Sequence, residues 1–288
     1  NALGNVGRLL TRMGRPDDAS AHLQEALALF EGADETAGSV NALICLGDLA
    51  RAQSRLADAR QHFEAAISRA DTPPARLLRA VGLLNLGHTL RDLGEREAAV
   101  DLFSDSLSIA RDLGDVQGVA RARLGQAMAL ADSRDPGASI AAFEEAEAAF
   151  LQIGQPPSAL AATVNRAAVL CRVGRLIEGR DGLIHARELL RRMGDERGAD
   201  EVALALCEVQ LALGDHRAVD EVLRTTKAES HGARLALRAE MVRSRVAIRA
   251  GDAEQARALL DGWTDSEMSV AEGFALALMK AEIDVLLG

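Results

Sequence analysis

Apolar and polar positions along this chain follow the spacing of α-helices. In the stretch LLTRMGRPDDASAHLQEAL, residues 9–27, an apolar helical pattern stops at Gly14 and resumes after Pro16. Ala19 and Leu23 then follow four residues apart, which places them on one face of a helix. Glycine is favoured just after a helix, and proline in the first turn of the next one. The stretch therefore predicts two helices joined by a tight turn.

The same pattern returns every 40 residues, in six consecutive units without a gap. The first helix of each unit has a column of small residues, namely Gly7, Gly47, Gly87, Ala127, Ala167 and Cys207. The second helix has a column of large apolar residues, namely Leu23, Phe63, Phe103, Phe143, Leu183 and Leu223. Between them lies a column of helix ends, namely Gly14, Ser54, Gly94, Arg134, Gly174 and Gly214. We expect each large side chain to pack where a small residue lets two helices approach closely.

A seventh unit and part of an eighth follow the six regular ones. The predicted repeat units are 1–40, 41–80, 81–120, 121–160, 161–200, 201–237, 238–274 and a partial 275–288. A helical hairpin alone leaves an apolar face exposed, so neighbouring units must stack to bury it. We therefore expect residues 1–288 to form a single all-α solenoid of seven to eight helical hairpins, as a fragment of a longer chain.

These columns resemble those of the tetratricopeptide repeat. The resemblance is clearest in "LGDLARAQSRLADARQHFEAA" and "LGHTLRDLGEREAAVDLFSDS". The usual aromatic residues of the first helix are absent, and the period is 40 where the common form has 34. Long repeats of this kind resemble those of kinesin light chains and of bacterial regulators that carry an NTPase module. The resemblance implies a right-handed superhelix whose first helices line a concave surface, and it implies binding of a protein or peptide.

Composition and charge narrow the possible functions. The formal net charge of −10 argues against a general nucleic-acid binder, because such binding depends on a surplus of Lys and Arg. No apolar run approaches the roughly 20 residues that cross a bilayer. Cys45, Cys171 and Cys207 lie far apart, without the paired spacing of zinc or disulfide frameworks. We expect buried structural thiols and a cytoplasmic protein with no membrane contact.

Sequence signatures of enzymes are absent from the chain. It has no G-x-x-x-x-G-K-[ST] phosphate loop, no G-x-S-x-G nucleophile turn and no H-E-x-x-H zinc motif. We therefore expect no catalytic residue, no cofactor and no metal site.

A column of the first helices suggests how a peptide is held. It reads Asn5, Cys45, Asn85, Gly125, Asn165, Ala205 and Val242. A side-chain amide both donates and accepts hydrogen bonds, so it pairs with a peptide unit whatever the peptide's sequence. In the long-period repeat proteins that this chain resembles, an Asn here commonly binds the backbone of an extended peptide. The alternative is a ladder of Asn side chains that ties adjacent helices together, and both interpretations stay open at this point.

The first helices are basic although the chain is acidic. The windows 1–13, 41–53, 81–93, 121–133, 161–173, 201–213 and 238–250 contain 12 Arg and 6 Asp or Glu, so the remainder carries −10 − 6 = −16. All their basic residues are Arg, which favours bidentate contacts with carboxylates or phosphates. The candidate partner-binding residues are Asn5, Arg8, Arg12, Arg51, Asn85, His88, Arg91, Arg121, Asn165, Arg172 and Arg245.

The sequence thus predicts a non-catalytic scaffold that recognises an extended, partly acidic protein segment, as the sensor or interaction region of a larger bacterial regulator. Two alternatives remain open. One is the substrate-recruiting arm of an enzyme, such as a caspase-like protease, whose catalytic domain lies outside this chain. The other is a sensor of a small-molecule effector.

Overall fold

The computed structural model describes residues 15–131, 135–263 and 270–287, which contain helices and turns but no β-strand. Two short 3₁₀ turns, Pro73–Ala75 and Ala228–His231, precede two of the α-helices. The α-helices are α1 Pro16–Gly32, α2 Thr36–Ala52, α3 Leu56–Arg69, α4 Arg76–Asp92, α5 Arg96–Leu113, α6 Val116–Leu130, α7 Pro136–Gln152, α8 Pro156–Arg172, α9 Leu176–Arg192, α10 Glu196–Leu213, α11 His216–Thr225, α12 Ala233–Ala250, α13 Ala253–Leu260 and α14 Val270–Leu287. The predicted all-α class is confirmed.

The chain divides into two compact units, Asn1–Arg166 and Ala167–Gly288. In the first, each helix from α1 to α6 packs against the next one along the chain, and α6 packs against α7. The first helices of successive repeats also pack together, α2 against α4 and α4 against α6. In the second compact unit, α10 packs against α9, α11 and α12, and α13 packs against α12 and α14. Each compact unit is therefore a stack of helical hairpins.

The turn between α5 and α6 shows how the sequence sets helix ends. Gly114 has a φ of 67°, a left-handed conformation that a residue without Cβ adopts at no steric cost. The N–H of Asp115 then bonds back to the carbonyl oxygen of Ala110 at 2.9 Å, which closes α5. The Asp115 carboxylate accepts the N–H of Gly118 at 3.0 Å and so caps the start of α6. A glycine followed by an acidic residue therefore both ends one helix and starts the next.

The column of helix ends is confirmed where the structure describes it. Positive φ values occur at Ser54, Gly94, Gly174 and Gly214. Gly14 and Arg134 lie outside the described residues.

The long period lengthens the helices. Each first helix that the structure describes begins five residues before the predicted unit boundary, as in α2, where Thr36 precedes residue 41 (41 − 36 = 5). The stretch "LGDVQGVA", residues 113–120, spans a repeat junction, and it supplies Leu113 to α5 and the residues from Val116 onward to α6. Helix α5 reaches 18 residues in this way. The boundary moves because Asp115 caps α6 immediately after the glycine turn.

The predicted columns of small and large residues pack against each other. Phe63 and Phe103 have no exposed surface. The Phe103 ring lies directly on the backbone of two helices: a Cβ placed on Gly87 of α4 would come within 2.8 Å of Cε1, and one on Gly125 of α6 within 2.5 Å. A Cβ on Gly47 would approach the Phe63 ring to 2.5 Å in the same way. These glycines therefore set how closely neighbouring helices approach.

Replacing Phe103 by Ala should remove the group that joins α4, α5 and α6. We expect Phe103→Ala to lower the free energy of unfolding by about 3–5 kcal/mol, the usual cost of an aromatic truncation in a core. Urea unfolding followed by circular dichroism measures this change. The control Leu151→Ala alters a side chain that is 53% exposed and should cost about 0.5 kcal/mol or less. A loss below about 1 kcal/mol for Phe103→Ala would contradict the packing described here.

Candidate functional site

A cavity of about 560 Å³ opens between α2, α4 and α6 in the first compact unit. We call it the α4 groove, because α4 supplies half of its lining. Its polar lining residues are Asn41, Asp48, Asn85, His88 and Arg121. Its other lining residues are Ile44, Cys45, Leu77, Leu78, Val81, Leu84 and Leu124. Three predicted partner-binding residues, Asn85, His88 and Arg121, therefore line one cavity.

The helical period explains why these side chains share a surface. Along α4, Leu77, Val81, Leu84 and His88 follow at spacings of four, three and four, which is one stripe of a helix. Since α2, α4 and α6 pack side by side, the same stripe of each helix contributes to the groove.

Asn85 links two successive first helices. Its side-chain Nδ2 donates to Oδ1 of Asp48 on α2 at 3.0 Å. This contact ties adjacent helices together, as the ladder alternative describes, but with a carboxylate as partner. An amide has two N–H donors and an accepting oxygen. Among the described residues, the second N–H and the amide oxygen of Asn85 take no partner.

The other predicted Asn residues are placed differently. Asn165 donates to the carbonyl oxygen of Ala161 in its own helix at 2.8 Å, so one of its two N–H donors serves α8 itself. Asn5 lies outside the described residues, as do Arg8 and Arg12.

His88 is uncharged at neutral pH. Its ring packs edge-on against Phe103, with 5.0 Å between the ring centroids and 65° between the planes. The pKa of His88 is lowered to about 4, mainly by burial. The charges of Arg91, Arg51 and Arg121 contribute to this lowering, and Asp92 opposes it only in part. The groove therefore has a neutral imidazole beside its cations.

Arg51 and Arg91 share one carboxylate. The Nε of Arg51 on α2 lies 3.0 Å from Asp92 Oδ2, and Nη2 of Arg91 lies 2.9 Å from Asp92 Oδ1. Burial alone would raise the pKa of Asp92, but the hydrogen bonds and the positive charges of Arg91 and Arg51 together outweigh it and lower the pKa. Asp92 is thus ionised at neutral pH, and it holds both predicted arginines.

Arg121 differs from these two arginines. Its side chain is exposed and lines the groove. No carboxylate among the described residues forms an ion pair with it. Arg121 is therefore a groove cation that remains available to a ligand.

Two further predicted arginines belong to the second compact unit. Arg245 on α12 pairs with Glu208 on α10, with 3.3 Å between Nη1 and Oε1. Arg172 lies exposed in the last turn of α8. The structure thus brings together Asn85, His88 and Arg121, with Arg51 and Arg91 beside His88.

Sequence reasoning missed the acidic partners Asp48 and Asp92. The sequence spacing of these pairs could have revealed them. Asp48 lies 37 residues before Asn85, and Arg51 lies 41 residues before Asp92. Both spacings are close to the 40-residue period, which places such pairs on facing turns of successive first helices.

The described residues hold no cluster of three or more His, Cys, Asp or Glu side chains placed to bind a metal ion. None of the described helices combines the length and the apolar character that a membrane span requires. All three cysteines are free. Cys207 is buried as expected, and burial raises its thiol pKa to about 12, whereas Cys45 and Cys171 are half-buried.

The lowered pKa of His88 predicts a pH-dependent stability. Below about pH 6.5 the unfolded chain takes up a proton that the folded chain excludes until about pH 4, so stability falls as pH falls through this range. Between about pH 7 and about pH 5 the loss should be on the order of 2 kcal/mol. Urea unfolding at several pH values measures it. His88→Gln should flatten this dependence, whereas the exposed control His22→Gln should not, and equal slopes in all three proteins would refute the prediction.

Comparisons with known proteins agree with the fold. Tetratricopeptide repeat family models match residues 1–72 and 83–117. A search of curated protein sequences finds no significant match.

Several solved structures resemble the whole chain. The apo form of RapI has a TM-score of 0.68 and 9% identity, with 99% of this chain and 97% of that chain covered. The apo form of the quorum sensor NprR from B. thuringiensis has a TM-score of 0.75 and 10% identity, with 99% and 82% covered. A Signal Transduction ATPase with Numerous Domains (STAND) protein from Pyrococcus horikoshii, with a tetratricopeptide repeat sensor, has a TM-score of 0.73 and 14% identity. That match covers 99% of this chain and 43% of the ATPase. The chain is thus similar to tetratricopeptide repeat proteins, in sequence over residues 1–72 and 83–117 and in fold over nearly its whole length.

Proposed function

We propose that this chain is a non-catalytic scaffold that binds an extended, partly acidic segment of a protein partner in the α4 groove. Asn85 contacts the main chain of the segment, and Arg121 pairs with one of its carboxylates. The observation that carries this proposal is Arg121, a cation that lines the groove without an ion-pair partner in the described part of the chain.

Electrostatics favour an acidic ligand at this place. The groove and its edge hold Arg51, Arg91 and Arg121 against Asp48 and Asp92, while His88 is neutral. One positive charge therefore remains. The planar guanidinium matches a carboxylate with two parallel hydrogen bonds, and the surrounding apolar side chains strengthen such a pair.

Asn85 is suited to bind a main chain because its orientation is already set. The bond to Asp48 holds the amide in place, so binding loses little side-chain entropy. The remaining N–H and the amide oxygen match the C=O and N–H of one peptide unit. The contact between helices and the ligand contact are thus compatible, since the amide has enough hydrogen-bonding groups for both.

The structural neighbours support the broader class of this function. NprR is a quorum sensor, and the P. horikoshii protein uses a tetratricopeptide repeat sensor. These proteins resemble this chain in fold. On that basis we propose that the chain is an interaction or sensor region of a larger regulator.

A small effector is the second candidate function. The cavity volume of about 560 Å³ lies within the range of small-molecule sites, about 300–1,000 Å³. Such a ligand would use the same Arg121 and Asn85, but it would not require an extended chain.

Selection from a display library of random peptides on the immobilised chain tests the proposal. We expect enriched peptides to share an Asp or Glu. Arg121→Glu should weaken their binding by at least about tenfold, since a charged hydrogen bond contributes about 1.5–3 kcal/mol, and it should select basic peptides instead. Asn85→Ala should weaken binding by about two- to tenfold. Fluorescence anisotropy with the enriched peptides measures both effects.

Arg111→Glu is the matched control. Arg111 is an exposed arginine of α5 outside the groove lining, so the substitution makes the same change of net charge. Its peptides and affinities should match those of the wild type. The proposal would fail if Arg121→Glu left selection unchanged, and recovery of small effectors without any peptide would favour the second candidate.

A further inference from the structure

The α4 groove has an apolar wall beside its polar residues. Leu77, in the first turn of α4, lines the groove and is 47% exposed. Leu78 and Val81 line the same wall and are half-buried. A single exposed leucine is common on protein surfaces. Leu77, however, borders a cavity and continues an apolar wall.

The apolar wall is continuous with the protein core. Leu84 and Ile44 line the groove while being only 4% and 5% exposed, so the floor of the groove is the surface of the packed core. A ligand group that covers this floor removes apolar surface from water, which is favourable by roughly 25 cal/mol per Å².

The unpaired charge of Arg121 restricts which segments can cover the apolar wall. Leu124 lies one turn after Arg121 on α6, and both line the groove. An apolar group that covers this region takes Arg121 partly out of water, which is costly unless a carboxylate pairs with it. A purely apolar segment is therefore disfavoured, and so is a purely acidic one that leaves the wall in water.

We infer that the partner segment carries an aliphatic side chain that packs on Leu77 and Val81 and, close to it in sequence, a carboxylate that pairs with Arg121. This inference rests on the proposed peptide binding and specifies the chemistry of the partner.

The geometry of α4 limits the spacing of the two groups. The groove that Arg121 lines extends along α4 from Leu77 to His88, which lies 88 − 77 = 11 residues later. At about 1.5 Å per residue this is roughly 16 Å along the helix. An extended peptide covers that distance in about five residues, at roughly 3.3 Å each. The aliphatic and acidic residues should therefore lie no more than about five positions apart.

The test uses peptides selected on the wild-type chain from the random library, synthesised with a fluorescent label. We expect an aliphatic residue within about five positions of the enriched Asp or Glu. Leu77→Ser should weaken their binding at least fivefold and abolish the enrichment of aliphatic residues, while Leu77→Met should bind like the wild type. Leu151→Ser, the same change at an exposed leucine of α7 outside the groove, should have no effect.

A double-mutant cycle then assigns the contact. Replacing the peptide's aliphatic residue by Ser should weaken binding to the wild type but add little to the effect of Leu77→Ser. Additive losses would show that the peptide's aliphatic residue does not contact Leu77. So would wild-type binding by Leu77→Ser together with a loss of binding by Arg121→Glu. Either result would contradict this inference but leave the proposed peptide binding in place. If Arg121→Glu also had no effect, the proposed function itself would fail. Circular dichroism verifies that each variant is folded.

Discussion

The close approach of phenylalanine rings to glycine backbones is the constraint on which the groove depends. Phe103 touches Gly87 on α4 and Gly125 on α6, so one side chain spaces two first helices. A single Cβ at either glycine would overlap the ring. This explains why glycine stands at residue 125 in the column that has Asn85 one repeat earlier: the backbone of α6 is needed there as a packing surface, and an Asn side chain would not fit.

The spacing set in this way brings polar side chains of successive first helices into contact. Asn85 reaches Asp48, and Arg51 reaches Asp92, across the gap between α2 and α4. Of the two contacts, Arg51–Asp92 is an ion pair, and it compensates one of the arginines that make the first helices basic. Among the described residues Arg121 lines the groove without an ion-pair partner, and the proposed site depends on it.

The structural neighbours show how little of the sequence the fold requires. RapI and NprR share 9% and 10% identity with this chain over nearly its whole length. Small and large apolar residues at the right period are sufficient for the hairpins to stack. The same fold supports many functions, so the function of this chain has to be argued from its groove residues. In this chain the described lining of the groove combines an apolar wall with one cation, Arg121.

The sequence by itself determined the helices, their 40-residue period, the burial of Phe63 and Phe103 and the turn at Gly94. These features depend on residues a few positions apart, and the repetition of the same pattern made them predictable from the sequence. Only the tertiary structure decided which polar groups pair, because pairing depends on the offset between neighbouring helices. That offset puts Asp92 opposite Arg51 and leaves Arg121 facing the groove, and it follows from side-chain packing between repeats, which no local pattern records.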